Sequence, residues 1–174
     1  MKLAVTVSGR AGMRMKDAAQ RKSGEWGVPF VDRSAHDSIE HLTRHYADAF
    51  LVLGGRGWRL QNATADFGFS PGMAQVRVKR INFDQPKDDV MIRLADLNAG
   101  DVVVDATVGL AVDALVCARV VGPQGRVIGI EGSLPIWALV SEGLGGKPRF
   151  ENSCAIELLF GEATARLAEM PPAS

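Results

Sequence analysis

The chain has little of several things that would settle its class at once. Only two of its 174 residues are cysteine. Both, Cys117 and Cys154, lie in apolar runs, which suits buried free thiols in a reducing compartment rather than disulfides. No apolar run approaches membrane-spanning length, and Met1-Lys2-Leu3-Ala4-Val5 lacks the apolar core of a signal peptide. The expectation is a cytoplasmic chain with no membrane partner. Net charge is missing too: 20 basic residues face 20 acidic ones, which excludes a bulk electrostatic pull toward nucleic acid. There is no internal repeat and no low-complexity segment.

What remains is an ordinary globular composition, 47% hydrophobic and 23% charged, which excludes an intrinsically disordered chain. The charge is unevenly placed. Residues 1–33 carry seven basic groups against three acidic ones, and residues 131–174 carry three against six. A local basic face is therefore open to the N-terminal part.

Leu3–Val7 is a β-rich run closed by Ser8-Gly9. Met15, Ala18, Ala19, Lys22 and Trp26 fall at helical spacing, with Gly27 as the stop. Val28–Val31 reads as a second strand, which Pro29 assigns to an edge. Ser34-Ala35-His36-Asp37 has the form of a capping box ahead of a helical face of Ile39, Leu42 and Tyr46. Phe50–Leu53 and Trp58–Gln61 are strands joined by the hairpin signal Gly54-Gly55-Arg56-Gly57. These elements predict a small α/β domain over residues 1–70. Gly68-Phe69-Ser70-Pro71-Gly72 breaks the pattern, and a second domain is expected over 71–174.

In that second part Met73–Ile81 is ambiguous between helix and strand, and Val90, Met91, Leu94 and Leu97 make a helical face. Strand and helix then alternate: Val102–Ala106, Ala111–Val121, Arg126–Ile130, Leu134–Gly143, Ala155–Phe160, Thr164–Glu169. Such alternation implies right-handed crossovers and a parallel sheet, hence a partial Rossmann-like α/β fold.

The chemistry concentrates at the ends of those strands. Val102-Val103-Val104 runs into Asp105, then a short turn, Ala106-Thr107-Val108-Gly109, opens a helix. Glycine lets backbone approach a ligand, and a helix start offers free N–H groups. The next strand ends in Glu131 and the third in Gly161-Glu162-Ala163, so three acids reach one carboxyl edge, where open parallel sheets bind ligands. An acid after the second strand suits a ribose. A dinucleotide also needs the cradle G-x-G-x-x-G, whereas this turn has Gly109 alone and carries Asp105 and Asp113, which would repel a pyrophosphate. S-adenosylmethionine has no phosphate and is cationic at its sulfonium and amino end. The turn favours the methyl donor, and a nucleotide-dependent oxidoreductase is the third alternative.

The pattern Asp105-Ala106-Thr107-x-Gly109-Leu110-x-x-Asp113-Ala114, with Gly129-Ile130-Glu131, Pro135, Ala138-Leu139-Val140 and Gly143-Leu144, resembles the small-subunit ribosomal RNA methyltransferase J family of class I methyltransferases. The resemblance implies S-adenosylmethionine as cofactor, methylation of a guanine N2 amino group in rRNA processing, and ribosomal RNA or the small ribosomal subunit as partner. It implies cofactor contacts at Val112, Asp113, Glu131, Gly132, Glu162 and Ala163, beside Asp105, Thr107 and Gly109. Two positions depart: Ala111 stands where the family has a second loop glycine, and Val112 where it has a basic residue. The family's fourth-strand motif, which holds the target amine, would begin just after Pro171-Pro172-Ala173-Ser174. No catalytic residue can therefore be named. An inactive cofactor- or RNA-binding remnant is the alternative function. Val102–Ala106 would keep an unpaired edge through which the chain is expected to self-associate.

Arg77, Lys79 and Arg80, together with Arg93, are the residues suited to an RNA backbone, with Asp84, Asp88 and Asp89 as neighbours of opposite sign. His41 and His45 stand four apart after His36, but Glu40 precedes His41, so the order is not H-E-x-x-H, and a solvated helix face is expected instead of a metal site. Gly9 and Gly12, near a strand end, read as a turn sooner than a phosphate cradle, and the lone Arg-Gly at Gly54–Trp58 reads as a hairpin.

Overall fold

The computed structural model describes residues 1–81 and 89–170. Asp84 and Asp88, weighed above against the basic residues, and Pro171 to Ser174 lie outside the described residues. The chain divides into two compact units, Met1–Phe69 and Ser70–Ser174.

In the first unit a four-stranded sheet runs in the order β1-β2-β3-β4, formed by β1 (Leu3–Val7), β2 (Ala49–Gly54), β3 (Gly57–Gln61) and β4 (Asp66–Gly68). β1 and β2 are parallel, with Val7 opposite Leu53, and the other pairs are antiparallel. α1 (Met13–Trp26) ends on Gly27 in a left-handed conformation (φ 65°), which glycine adopts without strain. Trp26 at its end packs edge-on against Trp58 of β3, ring centres 4.9 Å apart. The opposite face buries Ala4, Phe50 and Val52 beneath Leu42 of α2 (Ile39–His45).

Two local expectations are corrected here, and one strand is added. The helix cap is Ser38, whose hydroxyl accepts from His41 N–H at 3.0 Å. The earlier Ser34–Asp37 piece closes a turn on itself, Asp37 Oδ2 accepting from Ser34 N–H at 2.9 Å. Both fit a short polar residue before an apolar face, and Ser38 sits at the right distance from Leu42. Val28–Val31 forms only an isolated parallel bridge, Phe30 to Val5, although Val5 N–H still donates to Pro29 O and Val31 N–H to Val5 O, both at 2.8 Å. The strand β4, which no sequence pattern announces, ends on Gly68, the first residue of the Gly68–Gly72 break, and pairs through Leu60 and Phe67.

The second unit holds α3 (Gly72–Arg80), α4 (Val90–Leu94), β5 (Val102–Asp105), α5 (Val112–Val121), β6 (Arg126–Glu131), α6 (Leu134–Leu144), β7 (Ile156–Phe160) and α7 (Ala163–Ala168). Met73–Ile81 thus resolves to a helix. The three strands pair in parallel in the order β5-β6-β7, with helices as crossovers, so the α/β reading with a partial Rossmann-like sheet holds. Val116, Val121, Val127, Ile130, Leu139 and Val140 are fully buried and form the centre of the core.

β5 is an edge strand in this sheet. Of its valines, apolar on both faces and so suited to a strand buried mid-sheet, Val103 is half-buried while Val102 and Val104 are exposed, to 65% and 38%. No helix among the described residues is long and apolar enough to cross a membrane.

Candidate functional site

Parallel register brings the strand ends together. Asp105 lies opposite Gly129 and Glu131 opposite Phe160, so the turns after β5, β6 and β7 share one carboxyl edge. The turn after β5 is held by Val108 N–H donating to Ile130 O at 3.0 Å. Gly129 permits that approach, because a Cβ there would meet Val108 Cγ2 at 2.8 Å. Gly109 and Ala111 both take left-handed backbone, φ 50° and 61°. For alanine this costs about 1–2 kcal/mol, a strain that glycine would not carry.

Glu131 is the hub of the edge. Its Oε2 accepts from Gly109 N–H at 3.0 Å and its Oε1 from Ser133 N–H at 2.7 Å. One carboxylate therefore ties the turn after β5 to the start of α6. Each oxygen keeps a further lone pair, so two more hydroxyl donors can be accepted. Gly132, next in the chain, leaves room for Glu162, whose Oε1 is 3.4 Å from where a Cβ on Gly132 would stand. Glu162 precedes α7, which Ala163 opens.

Asp105 accepts from Thr107 N–H at 3.2 Å. Burial pushes its carboxyl above the ordinary range, the Thr107 bond works against that, and the charges of Asp113 and Glu131 add to the rise. The cluster is thus electrostatically under-compensated, and a cation placed in it would lower the cost of ionising Asp105.

Asp113, in the first turn of α5, is ion-paired with Arg77 of α3. The same guanidinium forms a two-pronged pair with Asp89, Nε to Oδ2 at 2.9 Å and Nη2 to Oδ1 at 3.0 Å. Asp89 in turn caps α4, accepting from Met91 N–H at 3.0 Å and Ile92 N–H at 3.4 Å. Of the four basic residues suited to an RNA backbone, Arg77 is committed to these carboxylates, while Lys79, Arg80 and Arg93 are exposed. This network joins residues 36 positions apart, and no sequence pattern announces it. A second feature missed in the sequence is an aromatic pair: Trp137 of α6 packs on Phe160 at 5.5 Å, and its buried Nε1 lacks a partner among the described residues.

His41 and His45 meet on α2 with ring centres 4.5 Å apart and planes tilted by 48°. Cys117 is buried and Cys154 half-buried, both as free thiols, and burial raises the Cys117 thiol to about 11. Among the described residues no three His, Cys, Asp or Glu side chains gather to hold a metal ion.

No family model matches the sequence. The uncharacterized protein YpiP of Bacillus subtilis (strain 168) is 34% identical over 141 residues, which are 80% of this chain and 54% of that protein. The chain thus spans about half the length of this curated relative. Among solved structures, the SAM-dependent methyltransferase NGO1261 from Neisseria gonorrhoeae superposes with a TM-score of 0.58 at 15% identity, over 95% of this chain and 62% of that one. TrmN from Thermus thermophilus gives a TM-score of 0.40 at 16% identity, over 98% of this chain and 48% of that one. The likeness to NGO1261 is one of fold: this chain carries the fold of a portion of that methyltransferase.

Proposed function

We propose that the carboxyl edge of β5, β6 and β7 binds S-adenosylmethionine, and that the chain serves methyl transfer to an exocyclic amino group of ribosomal RNA, of the guanine N2 type. The observation that carries this reading is the edge itself, where Glu131 braces the Gly109 turn while Asp105 is held above its ordinary range beside two more acids. Such a site repels a pyrophosphate and welcomes a cation. The resemblance noted in the sequence and the fold shared with NGO1261 support the same reading.

The residues fit the cofactor. The free lone pairs of Glu131 would accept the ribose hydroxyls, Gly109 and Gly132 leave room for close backbone approach, and Asp105 and Asp113 supply negative charge for the cationic end. Thr107, Val112, Glu162 and Ala163 complete the rim. When bound, S-adenosylmethionine supplies an electrophilic methyl on sulfonium. Attack by an amine demands positioning above acid–base chemistry, so this chain's share is to bind, orient and exclude water. Ribosomal RNA would be met by Lys79 and Arg80. The exposed edge of β5 favours a second reading, a cofactor- or RNA-binding module that does not complete the transfer alone.

Calorimetric titration of the chain with S-adenosylmethionine and with NAD tests the site. Binding of the former and not the latter is expected, and affinity should fall as pH is lowered through the raised value of Asp105, because the protonated acid no longer attracts a cation. Binding of NAD alone would replace this reading with the oxidoreductase one. Labelled methyl appearing on small-subunit rRNA would distinguish the complete enzyme from the binding module.

A further inference from the structure

The first unit also has a carboxyl edge. β1 and β2 are parallel and end side by side at Val7 and Leu53, the arrangement outside which α/β sheets take up ligands. A cavity of about 440 Å³ opens there, between Ser8, Val52 and Ile39 and the hairpin of β2 and β3. That volume lies within the ~300–1,000 Å³ of small-ligand sites. Its charged lining consists of three arginines, Arg33, Arg56 and Arg59, with no carboxylate.

The three are held differently. Arg33 is fixed through Nε, which donates to Asp37 O at 2.8 Å, and its terminal amino groups make no hydrogen bond among the described residues. Arg59 donates from Nε to Asp66 Oδ1 at 2.6 Å, which neutralises it in part. Arg56 stands exposed on the turn before Gly57, whose φ of 91° the hairpin requires. Burial would raise the Asp66 carboxyl, yet it lies below its ordinary value because hydrogen bonds from Arg59 and Gln61 prevail, with the charge of Arg56 adding to them. Asp37 lies close enough to Arg33 for the two charges to favour each other, so three arginines meet two carboxylates, Asp37 and Asp66, and the net charge at this edge is positive. Residues 1–69 as a whole carry ten Lys and Arg against seven Asp and Glu.

We propose that this cavity binds a phosphate of a single-stranded RNA backbone, clamped by Arg33 and Arg56 with Arg59 beside them. Arginine's fork of donors matches phosphate oxygens in pairs, where a lysine offers a point charge. The lining has no aromatic ring on which a base could stack, so the fit is to the phosphodiester and not to a nucleotide as a whole. The inference rests on the preceding proposal only for the choice of RNA as the polynucleotide. A second unit that failed to bind S-adenosylmethionine would leave it standing.

Fluorescence anisotropy of the full chain with a labelled 20-nucleotide single-stranded RNA, across a salt series, tests it. Arg56→Glu lies on an exposed turn and should leave the fold intact by circular dichroism. It should weaken binding by about tenfold or more and reduce the salt slope by about one. Arg33→Gln should weaken binding in the same direction, and inorganic phosphate at millimolar concentration should compete. Unchanged affinity and slope in both variants would overturn the proposal. So would inorganic phosphate protecting the chain against thermal unfolding when the RNA does not bind.

Discussion

Glu131→Ala is expected to weaken S-adenosylmethionine binding by about 1.5–3 kcal/mol, the usual size of hydrogen bonds to a charged group, or roughly 10- to 150-fold. The same substitution removes the acceptor for two backbone amides, those of Gly109 and Ser133. A loss of stability of about 1–3 kcal/mol should accompany it, because half-buried N–H groups are then left unpaired. Glu131→Gln separates the two effects. Its amide oxygen still accepts one of the two N–H groups, so stability should fall by less. The lost charge and the amide NH2 turned toward a donor should still cost affinity. Calorimetry gives the affinity and thermal melting the stability. An alanine variant that binds the cofactor normally would remove Glu131 from the site and reduce it to a structural brace.

The second large effect is expected at Arg77. Its side chain is 25% exposed and that of its partner Asp89 14%, so removing it strands a charge that water reaches poorly. Arg77→Ala should cost about 2–3 kcal/mol of stability, most of it through Asp89, since Asp113 is 61% exposed and can be solvated. The effect has a pH dependence of definite sign. The Arg77 hydrogen bond holds the Asp89 carboxyl below its ordinary range, although burial opposes this. Its stabilisation is therefore present above the unfolded pKa, about 3.9, and is lost as pH falls through the lower folded value. Below that value Asp89 is neutral with or without Arg77, so the gap in melting temperature between wild type and variant should close. Asp105 acts oppositely. Its folded value is raised, so its ionisation costs stability above that value, and the cost is relieved as pH falls through it toward 3.9, approximately the unfolded figure. A wild-type-to-variant gap that stayed constant down to strong acid would show that Arg77 acts through packing of its stem and not through the ion pair.

The second unit was largely legible because each of its strands and helices announces itself locally. Val102–Asp105, Val112–Val121 and Arg126–Glu131 alternate in apolar pattern, and the acids at the strand ends mark the edge. What escaped were features set by residues distant in the chain. Arg77 reaches Asp113 across 36 positions, and the arginine-lined cavity draws on Arg33, Arg56 and Arg59 from a loop, a turn and a strand. The sequence pattern points to Ser34–Asp37 as the cap, and the structure uses Ser38. Ser38 won because its hydroxyl meets the His41 amide while Leu42, one turn into the helix, is buried against Phe50. The open side of β5 was legible as well: Val102–Ala106 is expected to keep an unpaired edge, and the sheet flanks the strand on one side only.

The carboxyl edge of β5, β6 and β7 is proposed as the cofactor site. Amide NMR of the chain titrated with S-adenosylhomocysteine, the product form of the cofactor, tests it most directly. Chemical-shift changes are expected at Thr107 and Gly109, at Glu131 to Ser133, and at Gly161 to Ala163. Residues of the first unit, such as Gly54 to Gly57, should stay in place. Saturating ligand that leaves Gly109 and Glu131 unmoved, or moves only the first unit, would contradict the account.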